Sequence, residues 1–251
     1  MLIRALKDRK AKYARRFAAH SLHHSDGHPL HRSTAVTPLW PEMKAAVPSL
    51  IEAVSDDDAP LRRLAITALS TIDPNDERVV AALINATKDK DRNVCIQAVN
   101  VLGSVRRHRN RTIPALIEAM KNEDLRVRQN AIRVLGNITR DPKVLLPPLI
   151  EALKSEYQDD WQNTRDSACR LLGKLGPKAK ETVPALLAVF WVSKPHVRIQ
   201  IFSALGKIGT EDTAAFKFLA KVASDQTEPT KVQHAAAEAM KQILHSKQFK
   251  A

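Results

Sequence analysis

A block of 33 residues recurs along this chain, beginning at Ala46, Val79, Thr112 and Leu145. The aligned segments read AVPSLIEAV, VVAALINAT, TIPALIEAM and LLPPLIEAL, and TVPALLAVF from Thr182 continues them. A further segment, AAFKFLAKV from Ala214, fits less closely. Self-similarity at such a period is typical of solenoids, because a single unit cannot bury its apolar face without a neighbour. The repeat therefore predicts a row of stacked units.

Each block carries two helical patterns. In the first, apolar residues recur at i, i+3, i+4 and i+7, which is the spacing of one buried helix face. The first block supplies Val47, Leu50, Ile51 and Val54 at these positions. The second pattern is clearest in VRQNAIRVLGNI, whose buried face consists of Val127, Ala131, Val134, Leu135 and Ile138. These patterns predict an all-α fold, a right-handed α-solenoid of about six helix pairs.

Proline and glycine recur at fixed places in the repeat. Four first helices carry a proline in one column, namely Pro48, Pro114, Pro147 and Pro184. Proline is tolerated in a first helical turn but interrupts a helix that begins one turn earlier, so both placements stay open. Six glycines lie near predicted helix ends, where glycine can adopt a left-handed conformation. They are Gly103, Gly136, Gly173, Gly176, Gly206 and Gly209.

The pattern resembles the HEAT repeat, in the short form ending in Leu-Gly that many bacterial HEAT and HEAT-like lyase proteins contain. The resemblance covers about residues 44–246. It implies that the second helices line a concave surface and that turn acids and second-helix arginines form a ladder. The arginine column is Arg62, Arg128, Arg165 and Arg198, with Cys95 and Gln233 departing from it. The fifth turn, at 193–195, has no acid, so we expect an interruption there.

Three segments are predicted: a basic, His-rich arm at 1–40, partly helical and otherwise irregular, the solenoid at 41–246, and a tail at 247–251. The arm has eight Lys/Arg against two acids. A basic amphipathic segment can bind a partner helix, a membrane surface or nucleic acid. Its candidate binding residues are Arg4, Lys7, Lys10, Lys12, Arg15 and Arg16. Although His24, His28 and His31 have helical spacing, Gly27 and Pro29 disfavour a helix, so we predict no metal site and no cofactor.

The net charge of +13 is concentrated in a few places. Second-helix cations should form a concave basic strip of Arg133, Arg170, Lys174 and Lys207. A basic run enters the third repeat at Arg106, Arg107, Arg109 and Arg111. Such surfaces attract phosphates or acidic protein, although a basic face can also serve solubility alone. The candidate aromatic anchors are Trp40 and Trp161, the latter beside a longer loop, where it could instead cap its own repeat.

We predict a non-catalytic scaffold or adaptor subunit that binds a larger macromolecular partner through the concave face and the arm. We favour a protein partner within a larger complex. The surface that the basic residues bind could be acidic protein or the phosphate backbone of a nucleic acid. The alternative functions are a nucleic-acid-binding HEAT protein and an enzyme resembling the HEAT-like bilin lyases or alkyl-base glycosylases. The glycosylase members use an aspartate with tryptophans, and Trp161, Asp166 and Trp191 could supply these residue types. The hydroxylase members of the family use His-Glu dipeptides as metal ligands. No histidine in this sequence is immediately followed by a glutamate.

Three further expectations follow from the sequence. No transmembrane segment and no small-molecule substrate are evident. The cysteines, Cys95 and Cys169, should be buried thiols in a reducing compartment. We expect a cytoplasmic protein, with the mitochondrial matrix as the alternative because the amino terminus is rich in arginine.

Overall fold

The computed structural model describes residues 2–7, 15–16, 18–21, 40–154, 161–209 and 213–248. All regular secondary structure within these ranges is helical, as the repeat predicts. The chain divides into two compact units, Met1–Val134 and Leu135–Ala251. None of the described helices combines the length and the apolar character that crossing a membrane requires.

The first unit contains a short amino-terminal helix followed by stacked helix pairs. Its helices are α1 (Leu2–Lys7), α2 (Trp40–Ala53), α3 (Ala59–Ile72), α4 (Glu77–Ala86), α5 (Arg92–Ser104), α6 (Arg109–Ala119) and the greater part of α7 (Leu125–Ile138). Helix α2 packs on α3 and α4 packs on α5. The two pairs then stack, because α2 also contacts α4 and α3 also contacts α5.

The second unit repeats this arrangement. It contains α8 (Pro142–Lys154), α9 (Trp161–Leu175), a 3-10 helix (Gly176–Thr182), α10 (Val183–Ala188), α11 (Pro195–Ile208), α12 (Thr213–Ser224) and α13 (Thr230–Gln248). The second helices α9, α11 and α13 pack on one another in that order. Each unit is therefore an α-solenoid of helix pairs, and the predicted fold class is confirmed.

The core follows the columns of the repeat. The first-helix leucine column is fully buried in every pair, at Leu50, Leu83, Leu116, Leu149, Leu186 and Leu219. The second-helix leucine column is equally buried, at Leu69, Leu102, Leu135, Leu172 and Leu205. The residue after each first-helix leucine, such as Ile51 or Ile117, is only half buried. These thin layers of aliphatic side chains explain how the units are stable with few aromatic residues.

The structure decides where the proline column lies. Pro48, Pro114 and Pro147 are inside α2, α6 and α8, and Pro148 lies beside the last of these. Pro184 alone is in the first turn of its helix, α10. Helix α10 is short because the 3-10 segment replaces the turn that precedes the proline in the other pairs.

Four of the six glycines do not have the role that their position predicted. Only Gly176 and Gly209 have positive φ, 57° and 65°. Gly103, Gly136, Gly173 and Gly206 lie within second helices and let a neighbouring helix approach closely. A Cβ at Gly136 would lie 2.5 Å from Leu171 Cδ1, and one at Gly206 would lie 3.1 Å from Ala239 Cα. These glycines therefore serve helix packing instead of helix termination.

Candidate interaction surfaces

The turn between α2 and α3 is connected to the next turn by a buried ion pair. The Arg62 guanidinium donates from Nε and Nη2 to both carboxylate oxygens of Asp89, at 2.7 and 2.6 Å. Its Nη1 donates to the carbonyl oxygens of Asp56 and Asp57 in its own turn. The two side chains are only 4% and 11% exposed. One arginine thus holds its own turn and the following one, and the predicted ladder is confirmed at this position.

The other arginines of the column also bind turn carbonyls. Arg128 Nη1 donates to the carbonyl oxygens of Asn122 and Glu123, and Arg165 Nε donates to that of Leu153. Arg198 donates to the Ser193 carbonyl and, through Nη1, to Glu228 Oε1 at 2.6 Å. The acid in this rung is Glu228. The arginines of this column therefore stabilise the turns of the solenoid.

Cys95 stands in the arginine column, and the ladder is different there. Its thiol donates to the Asp89 carbonyl oxygen at 2.9 Å, the kind of acceptor that Arg62 uses one repeat earlier. The residue aligned with Asp89 in the next turn is Asn122, so both members of the rung have changed together. A groove of about 790 Å³ lies beside these turns and is lined by Cys95 and Asn122 among others. The second and third turns are thus not joined by an arginine at this column.

Two arginines of the predicted arm continue the ladder. Arg15 pairs with Asp56 at 2.6 Å and donates from Nε to the Leu6 carbonyl oxygen at 2.9 Å. Arg16 Nε donates to Asp58 Oδ2 at 2.6 Å. Leu6, Ala18 and Ala19 are buried with them. Arg15, Ala18 and Ala19 therefore pack as part of the first unit, and Arg15 and Arg16 are directed at their own chain.

The remaining arm residues are placed differently. Arg4 is exposed on α1. Lys7 ends α1, and its side chain lies outside the described part of the structure, as do Lys10, Lys12, His24, His28 and His31.

In the first unit, the predicted strip residue is Arg133 on α7. It is exposed, and its Nη2 donates to Asn100 Oδ1 at 2.8 Å and to Asn130 Oδ1 at 2.5 Å. Asn130 Nδ2 also donates to Asn100 Oδ1 at 3.0 Å. The guanidinium is therefore held by neutral amide groups, so these contacts leave its charge uncompensated.

In the second unit, three predicted strip residues lie on two packed second helices, α9 and α11. Arg170 is 60% exposed and pairs with Asp166 one turn away at 2.8 Å, the weak kind of surface ion pair. Lys174 and Lys207 are exposed. The Lys207 stem runs over Gly173, because a Cβ there would lie 3.3 Å from Lys207 Cδ. The structure thus brings Lys174 and Lys207 onto neighbouring helices with their charges directed to solvent.

The basic run of the first unit separates into exposed and anchored arginines. Arg106 and Arg107 are exposed, and their backbone N–H groups both donate to Asn75 Oδ1 at 3.3 Å. Arg109 donates to the Gly103 carbonyl oxygen at the end of α5. Burial and the nearby Arg106 lower the pKa of Arg109. Arg111 pairs with Glu77 at 3.0 Å. Two of the four arginines therefore remain directed at solvent.

Among the aromatic residues whose side chains are described, Trp191 is exposed, and the sequence analysis did not select it as an anchor. Trp40 and Trp161 begin α2 and α9, and their side chains lie outside the described residues, as does Tyr157 of the longer loop. Trp191 is 51% exposed in the turn after α10. The available signal was positional, since Trp191 follows the last position of the first-helix apolar stripe, where the first four repeats have a polar residue.

Two groups of residues bear on possible chemistry, the candidate metal ligands and the cysteine thiols. No cluster of three His, Cys, Asp or Glu among them could hold a metal ion. Burial raises the pKa of the Cys95 thiol to about 11 and raises that of Cys169 as well, so both thiols are protonated at neutral pH. Asp166, considered above with the tryptophans, is paired with Arg170.

Comparison with known proteins agrees with this architecture. Importin beta has 17% identity over 98% of this chain and 36% of its own, with a TM-score of 0.61. Kap121p has 16% identity over 97% and 33%, with a TM-score of 0.53. Human deoxyhypusine hydroxylase has 22% identity over 97% and 95%, with a TM-score of 0.44. At these identities the likenesses concern the fold alone.

The chain spans about a third of importin beta and of Kap121p. No curated protein matches it. A family model of HEAT repeats matches residues 1–95, 80–160 and 146–241, which is nearly the whole chain. This chain therefore belongs to the HEAT-repeat family.

Proposed function

We propose that this protein is a non-catalytic scaffold or adaptor subunit that binds a protein partner through exposed cations of its second helices. The HEAT fold is typical of protein-interaction scaffolds. The observation that carries the proposal is the exposure of Arg170, Lys174 and Lys207 on the packed helices α9 and α11. Cations that hold no turn together are available to a partner, and opposite charge on that partner would speed and orient its binding.

The amino-terminal contribution to binding is narrower than the whole arm. Because Arg15 and Arg16 are engaged with Asp56 and Asp58, we assign it to Arg4, Lys7, Lys10 and Lys12. In the first unit, Arg133 adds a further exposed cation, supported by Asn100 and Asn130.

A nucleic-acid-binding function is the second candidate, and the run at Arg106 and Arg107 favours it. These arginines are exposed beside Arg109, whose pKa burial and Arg106 lower. A phosphate bound there would reduce the repulsion between the positive charges of Arg106 and Arg109. The described aromatic residues form no stacking row along the second helices, so backbone contact would dominate in this case.

Charge reversal tests the proposed function. Arg133, Arg170 and Lys174 are changed to Glu together, and proteins that co-purify from the native cell are identified by mass spectrometry. The matched control reverses Lys88, Lys143 and Lys178, which are exposed elsewhere, and so changes the net charge equally. We expect the partner to be lost from the first variant and retained by the control. Equal retention by both variants, or equal loss from both, would contradict a specific role for the second-helix cations.

A further inference from the structure

The turn between α10 and α11 presents two large apolar side chains to solvent. Trp191 is 51% exposed and Val192 is 64% exposed. Among the described large apolar residues, Leu244 near the end of α13 is the other one exposed to this extent. Exposed neighbouring apolar side chains on a folded surface commonly mark an interaction site.

The other repeats show that the fold does not require apolar residues here. The positions aligned with Trp191 in the first four turns hold Ser55, Lys88, Lys121 and Lys154. Those aligned with Val192 hold Asp56, Asp89, Asn122 and Ser155. The first four repeats are therefore polar at both aligned positions, and only the fifth has apolar side chains at both. The replacement calls for an explanation outside helix packing.

The Trp191 indole is held in place by its neighbours. Its ring meets Phe190 edge to face, with centroids 4.9 Å apart and an 88° angle between planes. Phe218 of α12 contacts it similarly, at 6.0 Å and 81°. The Arg198 guanidinium lies 5.7 Å from the ring centroid. A side chain fixed in this way loses little conformational freedom when a partner covers it.

The backbone of the turn is fixed as well. The Trp191 carbonyl oxygen accepts a hydrogen bond from Arg198 Nη2 at 3.2 Å. The Val192 carbonyl oxygen accepts one from Gln162 Nε2 at 3.1 Å, and Gln162 Oε1 accepts one from the Lys194 N–H. Arg198 is itself anchored by the buried Glu228. The turn is thus a rigid platform for its two apolar side chains.

The border of this platform is basic. Exposed Lys217 and Lys221 lie on α12 one residue before and three residues after Phe218, so Lys221 shares its side of the helix. Exposed His196 is the second residue of α11. Residues 178–210 contain five Lys/Arg against Glu181 alone. Glu228, the acid that Arg198 binds beside the cluster, is paired with this arginine at 2.6 Å.

We propose that Trp191 and Val192, with Phe218 behind them, form a docking site for an acidic segment of a protein partner that carries an aromatic or branched apolar side chain. The apolar side chain would cover the indole and Val192, and its flanking carboxylates would face Lys217 and Lys221. A large aromatic residue in a fixed position commonly supplies much of the binding energy at an interface. This inference rests on the proposed scaffold function, to which it adds a second surface and the chemistry of the segment bound there.

Peptide selection tests the site directly. A phage-displayed library of random peptides is selected in parallel on the full wild-type chain and on Trp191→Lys, which installs the residue found in three aligned turns. We expect wild-type-specific sequences that combine an aromatic or branched residue with Asp or Glu. The proposal is overturned by the absence of wild-type-specific peptides, or by specific peptides that are basic or lack an apolar residue.

Affinity measurements on a selected peptide then assign the effect to the turn. Fluorescence anisotropy should show binding weakened by about tenfold or more for Trp191→Lys and for Val192→Asp. Val192→Asp is the second variant because this exposed side chain supports little packing. The matched control, Lys154→Ala, changes the aligned position of the preceding turn and should leave the affinity unchanged. Unaltered binding by Val192→Asp, or equal weakening by Lys154→Ala, would refute the site.

The two proposals can fail separately. If the second-helix cations are not used, charge reversal at Arg133, Arg170 and Lys174 leaves partner capture intact while the peptide selection still depends on Trp191. If the Trp191 site is wrong, the selection shows no dependence on Trp191 while charge reversal still abolishes capture.

Discussion

At the scale of single residues, Arg62 shows how one side chain joins two repeats. Its guanidinium binds two carbonyl oxygens in its own turn and both Asp89 oxygens in the next. Burial of this pair removes both charges from water, so loss of the arginine leaves an uncompensated carboxylate and unpaired carbonyl groups. We therefore expect this buried pair to contribute strongly to holding the two turns together.

Removal of this side chain should be costly. We expect Arg62→Ala to lower the free energy of unfolding by ~2 to 4 kcal/mol, as measured by urea denaturation. The control is Arg78→Ala. The Arg78 side chain is 65% exposed and pairs with Asp76. That variant should unfold as the wild type does. Similar losses in both variants would show that burial does not set the strength of these pairs.

The Arg15–Asp56 pair predicts a dependence of stability on pH. Burial raises the pKa of Asp56, but the Asp58 N–H and the Arg15 guanidinium outweigh it and hold the pKa below its ordinary value. A carboxyl whose pKa falls on folding stabilises the folded state above the unfolded pKa, about 3.9 for Asp. This contribution disappears as the pH falls through the lowered value.

Asp56→Asn isolates this effect because the amide oxygen can still accept the Asp58 N–H. We expect the variant to be less stable than the wild type at neutral pH, by about 1 kcal/mol after solvent screening. The difference should shrink at pH values below about 4. Urea denaturation at neutral and acidic pH measures it, and a difference that does not change with pH would contradict the ion-pair assignment.

The column pattern placed these residues in the chain but could not assign their contacts. It identified Arg62 and Arg198 as one column, yet the acid bound by Arg198 proved to be Glu228, because a long side chain can reach several turn residues. It also assigned Arg15 and Arg16 to an arm, since the interval between Arg15 and Arg62 does not follow the repeat. Their role became visible only when Asp56 and Asp58 were seen beside them.

At the scale of helices, close packing of second helices depends on the glycine column. The sequence analysis placed these glycines near helix ends, where glycine can adopt a left-handed conformation. The helices instead continue through Gly103 and Gly136, and the neighbouring helix occupies the space that a side chain would fill. A single sequence cannot separate these two uses of glycine, since both occur near the end of an apolar stripe.

Gly136→Ala tests the packing role. The new methyl group would lie 2.5 Å from Leu171 Cδ1, so the buried leucine must move. Overpacking costs about 1–3 kcal/mol, whereas alanine in a helix gains about 1, so we expect a net loss near 1 kcal/mol. In Gly136→Ala/Leu171→Ala the two losses should not add, because the leucine that clashes is absent. Additive losses in thermal unfolding would disprove the clash.

At Cys95 and Asn122, where the arginine and the aspartate of the ladder are both replaced, restoring the ion pair should increase stability. An aspartate in place of Asn122 would keep the turn bond that the Asn122 Oδ1 accepts from the Asp124 N–H, as Asp89 accepts from Asp91. We therefore expect Cys95→Arg and Asn122→Asp to couple favourably by about 1–2 kcal/mol in a double-mutant cycle. A coupling energy of zero would show that the second turn cannot accept an arginine.

At the scale of the whole molecule, the period predicted the helix pairs and the fold, because it records which faces must be buried. Charge sums along the sequence show which segments are rich in Lys and Arg. They could not separate arginines that hold turns together, such as Arg15, Arg62 and Arg198, from cations directed at solvent, such as Arg170 and Lys207. That distinction requires the position of each carboxylate, and it decides which cations can meet a partner.

The salt dependence of partner binding tests the central claim, that the exposed second-helix cations bind a protein. Contacts from Arg133, Arg170, Lys174 and Lys207 to nucleic-acid phosphates would give log Kd against log salt concentration a slope of magnitude about 3.6, through counterion release. For a protein partner recovered from the native cell the slope should be clearly shallower, because screening of charge pairs releases no condensed counterions. A log-linear dependence as steep as the phosphate value would contradict the scaffold account and favour nucleic-acid binding.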